Sequence, residues 1–397
     1  MDYEALRQFV KAHESDDLSR LLLSAARYPE VDVPFAVDQI KARRQLKEKL
    51  PEWHADDRLL FPSTIAAEQC SSERTARYKQ RLVEAGWKVC DLTGGMGVDS
   101  YYLSRQAGRL TYIERYPAYC EAARHNFRCL DADNITVLAG DSADWLDKVG
   151  AVDAFYIDPA RRGVGNKRVF ALSDCEPDLP LLLPRLFQYA GRVIAKLSPM
   201  ADIHRTLELL PETVEIHVLS VRNECKELLF VLERDARQVE PRVVCVNWRS
   251  DGSEESFAFS LAEERGASLP LLSAVERYLY EPNASILKAG AFKEVGVRFG
   301  LGKLHASSHL YSAEHFVADF PGRRFVVEEV LPFNGKTAKG LVSRVPRASI
   351  TVRNFPLGVD ELRKRTKIKD GGELYLFATT LADASKVLII ARKADTP

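Results

Sequence analysis

Acidic residues stand at three places between Lys88 and Ser142, and glycines cluster beside the first of them. That first place is the run Asp91-Leu92-Thr93-Gly94-Gly95-Met96-Gly97; Glu114 and Asp141-Ser142 follow. Glycines there let the backbone pass close to a ligand where a Cβ would intrude. Glu114, twenty positions after Gly94, is at the spacing that reaches ribose hydroxyls, for which a carboxylate is a two-oxygen acceptor. Asp91 just ahead of the loop would repel a pyrophosphate but suits a ligand with an ammonium group. Asp141 with Ser142 can hold the amino group of an adenine. The dinucleotide fingerprint G-x-G-x-x-G fails, because counting from Gly95 and Gly97 the third position is Ser100. Each carboxylate alone would pass for an ordinary turn residue. Three in succession point to a nucleoside with a cationic end.

A fourth carboxylate opens the run Asp158-Pro159-Ala160-Arg161-Arg162-Gly163. Pro159 stiffens the turn, since the residue before a proline is pushed to an extended conformation. Asp158 is the candidate to accept a hydrogen bond from an acceptor amine and orient its lone pair, with Pro159 and Arg161 beside it. Arg161 and Arg162 are as well read as surface arginines as a grip on a phosphate. Lys196, at the end of the next strand, is read as structural or substrate-facing.

These residues need a scaffold that brings them to one rim. Short apolar runs read as strands at Lys88–Leu92, Leu110–Glu114, Ile135–Ala139, Val152–Asp158, Val193–Leu197, Val214–Ser220 and Glu227–Glu233. Helix-length stretches such as Ala118–Leu130 separate the first few, which predicts a parallel sheet with helices on both faces. Ligands bind beyond the carboxyl ends of such strands, where all four carboxylates fall. Val221–Lys226 is too short for a crossover helix, so the last two strands form a hairpin and one strand is antiparallel. The fold class expected is α/β: a Rossmann-like, seven-stranded, mostly parallel sheet with an N-terminal helical region and C-terminal α+β modules.

Before the sheet, Leu6, Phe9 and Val10, then Leu18, Leu21, Leu22 and Ala25, repeat at helical spacing. A third helix over Phe35–Leu50 carries Lys41, Arg43, Arg44, Lys47 and Lys49 and stops at Pro51; a solvated face is the first reading, RNA contact the second. The segment Glu68–Lys79 is polar, with Ser72 placed as a helix cap, and with Phe61-Pro62-Ser63 it is a candidate lid. After Arg234, Val243–Asn247 and Ser256–Ser260 read as paired strands and Leu272–Tyr280 as a helix. The final unit alternates Arg324–Glu329, a helix around Thr337–Ser343, Ser349–Val352, a helix around Val359–Leu362, Glu373–Thr379 and Lys386–Ala391. It is basic, with Arg323, Arg324, Lys336, Lys339, Arg344, Arg347, Arg353, Arg363, Lys364, Arg365, Lys367 and Lys369.

The chain has 397 residues, so two to four domains are expected. Its 56 basic residues balance 56 acidic ones, so any nucleic-acid partner must meet a local patch. The seven cysteines are never in C-x-x-C spacing, which argues against a disulfide scaffold or structural zinc; no metal is expected. Met1-Asp2-Tyr3-Glu4 is not a signal-peptide pattern and no apolar run is long enough for a membrane span, so a cytoplasmic protein with no membrane partner is the expectation.

Over Thr75–Glu233 the chain resembles the class I S-adenosylmethionine-dependent methyltransferases. That resemblance makes Asp91, Thr93, Gly95 and Gly97 the loop around the cofactor's methionine end, Glu114 the ribose ligand, and Asp141 with Ser142 the adenine contact. The Asp158 run resembles the D-P-P-Y and D-P-x-R-x-G loops of nucleic-acid methyltransferases. The 5-methyluridine group among them needs a cysteine after the next strand, and Val193–Pro199 has none; the aromatic of amino-methyltransferases is replaced by Ala160-Arg161. Transfer to a nitrogen is the first choice.

Beyond it, Pro282-Asn283-Ala284-Ser285-Ile286-Leu287-Lys288 is similar to a small ferredoxin-like module. Gly335-Lys336-Thr337, Arg353-Asn354-Phe355-Pro356 and Asp370–Tyr375 resemble the THUMP-like domain of a bacterial methyltransferase group. The domains implied are 1–75 helical, 76–235 methyltransferase, 236–321 ferredoxin-like and 322–397 THUMP-like. The resemblance implies an RNA methyltransferase using S-adenosyl-L-methionine on a base nitrogen of structured RNA such as tRNA, with Arg162, Lys196, Arg353, Arg363 and Lys364 as substrate contacts. The alternatives are a cofactor-binding RNA-binding protein without catalysis and a small-molecule methyltransferase.

Overall fold

A computed structural model describes residues 3–161, 172, 175–236 and 239–394. The chain divides into two compact units, residues 1–214 with 229–239, and residues 215–228 with 240–397.

The strands up to Leu197 follow the expected alternation with helices. They are β1 (Lys88–Asp91), β2 (Arg109–Glu114), β3 (Ile135–Ala139), β4 (Ala154–Ile157), the short pair β5 (Ala160–Arg161) and β6 (Cys175–Glu176), and β7 (Arg192–Leu197). Then come β8 (Thr213–Val221), β9 (Glu224–Glu233), β10 (Arg242–Trp248) and β11 (Glu254–Ser260). Among the described residues the large sheet has nine strands, in the order β11-β10-β8-β9-β7-β4-β1-β2-β3. The seven expected strands are present, but the count of seven needs correction. The Val243–Asn247 and Ser256–Ser260 pair extends the same sheet, β10 running parallel to β8 and β11 antiparallel to β10. The reason is an edge: left last, β8 would present a row of unpaired backbone groups. The β8–β9 connection is a two-residue turn in which Arg222 and Asn223 have φ of 52° and 62°, the geometry of a tight hairpin.

β1 lies between β2 and β4, parallel to both, with Asp91 level with Tyr112 on one side and Tyr156 on the other. β4 is parallel to β7, Ile157 level with Ala195. This register brings the ends carrying Asp91, Glu114, Asp158 and Lys196 to one rim.

The N-terminal helices bury Leu6, Phe9, Val10, Leu21, Val33, Val37 and Ile40 in a core of their own. The third helix is shorter than expected, Val33–Leu46, and Pro51 begins the next helix, Pro51–Ala55, as suits a residue with no backbone donor. Its basic residues are not one solvated face. Arg43 is buried and donates to the carbonyls of His54 at 2.9 Å and Asp56 at 3.1 Å. Lys49 donates to the carbonyls of Ala67, at 3.1 Å, and Glu68. Two buried amides pin the extended segment that follows: Gln39 exchanges hydrogen bonds with both backbone groups of Phe61, and Asn126 with both of Leu60. An amide side chain carries one donor and one acceptor group, so each replaces a strand partner. Ser63 and Ser72 cap helices Thr64–Gln69 and Glu73–Lys79, as expected for Ser72.

The second unit holds β12 (Tyr278–Pro282), β13 (Gly302–Lys303), β14 (Tyr311–Ala313), β15 (Gly322–Pro332), β16 (Ser349–Arg353), β17 (Leu374–Thr380) and β18 (Lys386–Lys393). They form a sheet in the order β13-β14-β12-β15-β18-β17-β16. Alternate residues of β17 and β18 feed different cores: Leu376, Ala378, Leu388 and Ile390 one, Phe377, Ile389 and Ala391 the other, as the period-2 pleat requires. The expected helix over Leu272–Tyr280 is absent; its last residues enter β12, where Leu279 packs in the core and strand pairing overrides local preference. In β12, Glu281 is 2% exposed and takes guanidinium hydrogen bonds from Arg323 and Arg353. Glu281→Ala strands both arginines, and about 2 kcal/mol of stability should be lost, read as a lower urea midpoint; an unchanged midpoint would mean that solvent takes over the carboxylate's role.

Candidate active site

An open cleft of about 1050 Å³, solvent at its mouth included, lies in the first unit, at the carboxyl ends of β1, β2, β3, β4 and β7. Its walls include Asp91, Thr93, Gly95, Gly97, Glu114, Asp141, Ser142, Asp158 and Lys196. The structure therefore collects the sequence candidates of β1, β2, β3, β4 and β7 in one place. Pro159 is buried next to Asp158 without lining the cleft, and Arg161 sits in β5 opposite Cys175. Arg162 lies outside the described residues. Arg353, Arg363 and Lys364 belong to the second unit. There Arg353 pairs with Glu281 at 3.0 Å and Arg363 with Asp370 at 2.8 Å, while Lys364 is exposed.

The glycine loop is shaped by what stands behind it. A Cβ on Gly94 would lie 2.2 Å from the Tyr112 ring, and one on Gly97, whose φ is +85°, 2.8 Å from Phe127. Neither position tolerates a side chain, so the loop backbone forms the cleft wall. Glu114 holds the loop from the next strand, accepting from the Gly95 amide at 2.8 Å and the Tyr116 amide at 2.9 Å. Tyr112 donates its hydroxyl to the Gly95 carbonyl at 2.6 Å. Thr93 does more than line the loop: its hydroxyl accepts from the Asp158 amide at 2.7 Å and ties β1 to β4. Asp141 is the N-cap of helix Ser142–Val149, accepting from the Ala143 amide at 2.9 Å, so its turn role and its place in the cleft coexist.

Asp91 is 1% exposed, with one oxygen accepting from the Thr93 amide at 2.9 Å and the other from Ser100 at 2.5 Å. Burial, only partly offset by these two hydrogen bonds, pushes its carboxyl up to about 7. A buried carboxylate with no ion-pair partner among the described residues, beside a side-chain-free backbone wall and a second carboxylate on the next strand, fits an adenosyl amino acid with an ammonium end.

Beside Asp158 the fold builds a charge cluster that strand periodicity did not reveal. Lys196 Nζ sits 2.5 Å from Asp158 and 3.8 Å from Asp99. Lys79 is fully buried and donates to Asp99 at 2.8 Å and to Ser71 at 2.7 Å. Asp99 also accepts from Ser71 and from Tyr156, each at 2.8 Å. Burial would raise the Asp99 carboxyl, but Lys79 and Lys196 outweigh it and hold the group below the usual carboxylate range. At Asp158 burial wins over Lys196, and the carboxyl is raised.

Ser71, Lys79, Asp99 and Tyr156 were not among the sequence candidates for chemistry. A lysine on a polar helix carries no sign that it will be buried. Cys70 also lines the cleft, from a part of the chain far from the strand where a nucleophile was sought. Burial pushes its thiol up, which keeps it protonated and a poor nucleophile. Lys79→Ala leaves Asp99 and Ser71 buried without their ammonium. A loss of about 3–5 kcal/mol is expected, measured by urea denaturation; a change under about 1 kcal/mol would mean that the remaining groups compensate Asp99.

Residues 278–321 match a ferredoxin-like domain and residues 322–393 a THUMP domain-like family; β12 of the first pairs with β15 of the second, so one sheet runs through both. The uncharacterized S-adenosylmethionine-dependent methyltransferase Rv3037c of Mycobacterium tuberculosis is 27% identical over 89% of this chain and 94% of its own length. An uncharacterized RNA methyltransferase of Enterococcus faecalis is 24% identical over 44% of this chain and 40% of its own. The crystal structure of a "putative methyltransferase" from Porphyromonas gingivalis W83 superposes with a TM-score of 0.90 at 39% identity, covering 99% of this chain and 98% of that one. The chain belongs to the family of that P. gingivalis protein, S-adenosylmethionine-dependent methyltransferases with ferredoxin-like and THUMP-like domains at the C-terminal end.

Proposed function

We propose that this methyltransferase acts on RNA. The observation that carries the reading is the THUMP domain-like stretch at residues 322–393 joined to a methyltransferase cleft. The E. faecalis relative named as an RNA methyltransferase supports it. So does a groove in the second unit lined by Arg222, Arg249, Arg323, Arg324 and Lys393, with Asp251 and Glu255 as its acidic members. An excess of cations in a concave surface contributes salt-dependent affinity for phosphates without reading sequence.

In this reading Asp91, Thr93, Gly95 and Gly97 hold the amino-acid end of S-adenosylmethionine, Glu114 its ribose, and Asp141 with Ser142 its adenine. The cofactor supplies an already activated methyl group, so the protein's task is to hold the acceptor in line with it. Asp158 and Pro159, just past β4, and Arg161 in β5 are the residues for that task. The sequence expectation of a base nitrogen in a structured RNA such as tRNA rests on Asp158 accepting an amine hydrogen, a role that a hydroxyl acceptor calls for equally; the RNA reading does not depend on which of the two it is.

Tritiated methyl transfer to total RNA from cells lacking the protein tests the reading; label in RNA is expected, and none, with cofactor binding intact, would reject it. Asp158→Ala should keep cofactor affinity and lose transfer by about a hundredfold or more. Affinity for S-adenosylhomocysteine should fall as pH drops through about 7, because protonation removes the Asp91 charge that meets the ammonium. Below that value the loss approaches about tenfold per pH unit; a flat calorimetric affinity from pH 8 to 6 would take Asp91 out of that role. Arg324→Ala with Lys393→Ala should weaken RNA binding and reduce the salt slope by about 1–2; an unchanged slope would remove the groove from the RNA interface.

A further inference from the structure

We infer that the acceptor is a ribose hydroxyl of the RNA rather than a base nitrogen, with Lys196 stabilising charge on that oxygen and Asp158 receiving its proton. The inference rests on the reading of the chain as an RNA methyltransferase and concerns the same cleft.

The argument is one of sign. A neutral nitrogen that takes a methyl group gains positive charge as the bond forms, and an ammonium at its side opposes that change. A hydroxyl oxygen gains negative charge as its proton leaves, and the same ammonium stabilises it. Lys196 and Asp158 both line the cleft, 2.5 Å apart, at the carboxyl ends of adjacent parallel strands. An acceptor beside Asp158 therefore meets Lys196 as well. Lys196 also reaches the Ser71 hydroxyl at 3.3 Å and Asp99 at 3.8 Å, while Asp99 takes Lys79, Ser71 and Tyr156 at 2.8 Å. Asp99 thus balances Lys79 at closer range, and the Lys196 charge stays beside Asp158 when that carboxylate takes up a proton.

Hydroxyls ionise far above neutral pH, so their methylation calls for both a proton acceptor and a cation, and Asp158 and Lys196 supply both.

The step balances. The hydroxyl O–H bond breaks and its proton passes to the Asp158 carboxylate. The oxygen's electron pair forms the new O–CH₃ bond while the S–CH₃ bond breaks, its electrons remaining on sulfur, which becomes a neutral thioether. Lys79 and Asp99 are positioning residues, since they act through Lys196 and Ser71.

Alkaline digestion of RNA labelled by the full-length protein, with total RNA from cells lacking it as substrate, reads the atom directly. Alkali cleaves through the free 2′-hydroxyl, so ribose methylation leaves the label in alkali-resistant dinucleotides, the expected result. Label in mononucleotides would overturn the hydroxyl assignment and leave the RNA reading standing. No label in any RNA, with S-adenosylhomocysteine still bound, would instead reject the RNA reading and the ribose with it. Lys196→Met should lower transfer by about a hundredfold or more at unchanged S-adenosylhomocysteine affinity, with partial recovery in Lys196→Arg. A Lys196→Met protein that transfers at the parent rate or faster would overturn the role of the cation. The digestion needs only the parent protein, so it decides even if the variant does not fold.

Discussion

Opposite charges alternate from Lys79, buried behind the cleft, to Asp99 in its wall, and from Lys196 to Asp158, with Ser71 and Tyr156 hydrogen-bonded into the same cluster. Taking any one of these charges out of water is costly, and only its neighbours offset that cost. The cluster is therefore interdependent: each member is tolerable because the next is within hydrogen-bond reach. It also draws residues from remote parts of the chain onto one point. Ser71 and Lys79 come from the segment before β1, Asp99 from the helix after it, and Asp158 and Lys196 from the ends of β4 and β7. The segment before the sheet thus contributes Ser71 and Lys79 to the cluster beside the cleft, which explains why so polar a stretch is held in an otherwise apolar interior.

The cofactor side of the cleft works by a different principle, the absence of side chains. Tyr112 and Phe127 fill the space behind Gly94 and Gly97, and Tyr112 and Glu114 fix the Gly95 backbone from β2. Thr93 links this wall to the end of β4 by holding the Asp158 amide. The glycine loop and Asp158 are thereby tied together, which is what in-line transfer calls for under the proposed roles. The two halves of the site are therefore positioned by one network of short contacts across β1, β2 and β4.

The second unit shows how little a count of basic residues says about a binding surface. Arg323 and Arg353 share Glu281, Arg344 meets Glu329, Arg363 meets Asp370 and Arg365 meets Glu361. Many of the charges crowded into the C-terminal sequence fasten its own elements together. The proposed RNA contact therefore rests on the concave groove around Arg324 and Lys393, a narrower surface than the basic composition suggested.

What could be read from the sequence alone was whatever depends on near neighbours. Strand alternation, the glycine loop, the carboxylates at strand ends and the Ser72 cap are local patterns, and the sheet needs only its parallel register to carry Asp91, Glu114 and Asp158 to one rim. Tertiary structure decided the rest. Burial made Arg43 and Lys79 internal cations, edge pairing carried β10 and β11 into the large sheet, and strand pairing turned the end of an expected helix into β12. Above all, Lys79, Asp99 and Lys196 are separated by many residues of chain, and their attraction exists only once desolvation has brought them together. No spacing rule records a charge whose partner is chosen by the fold.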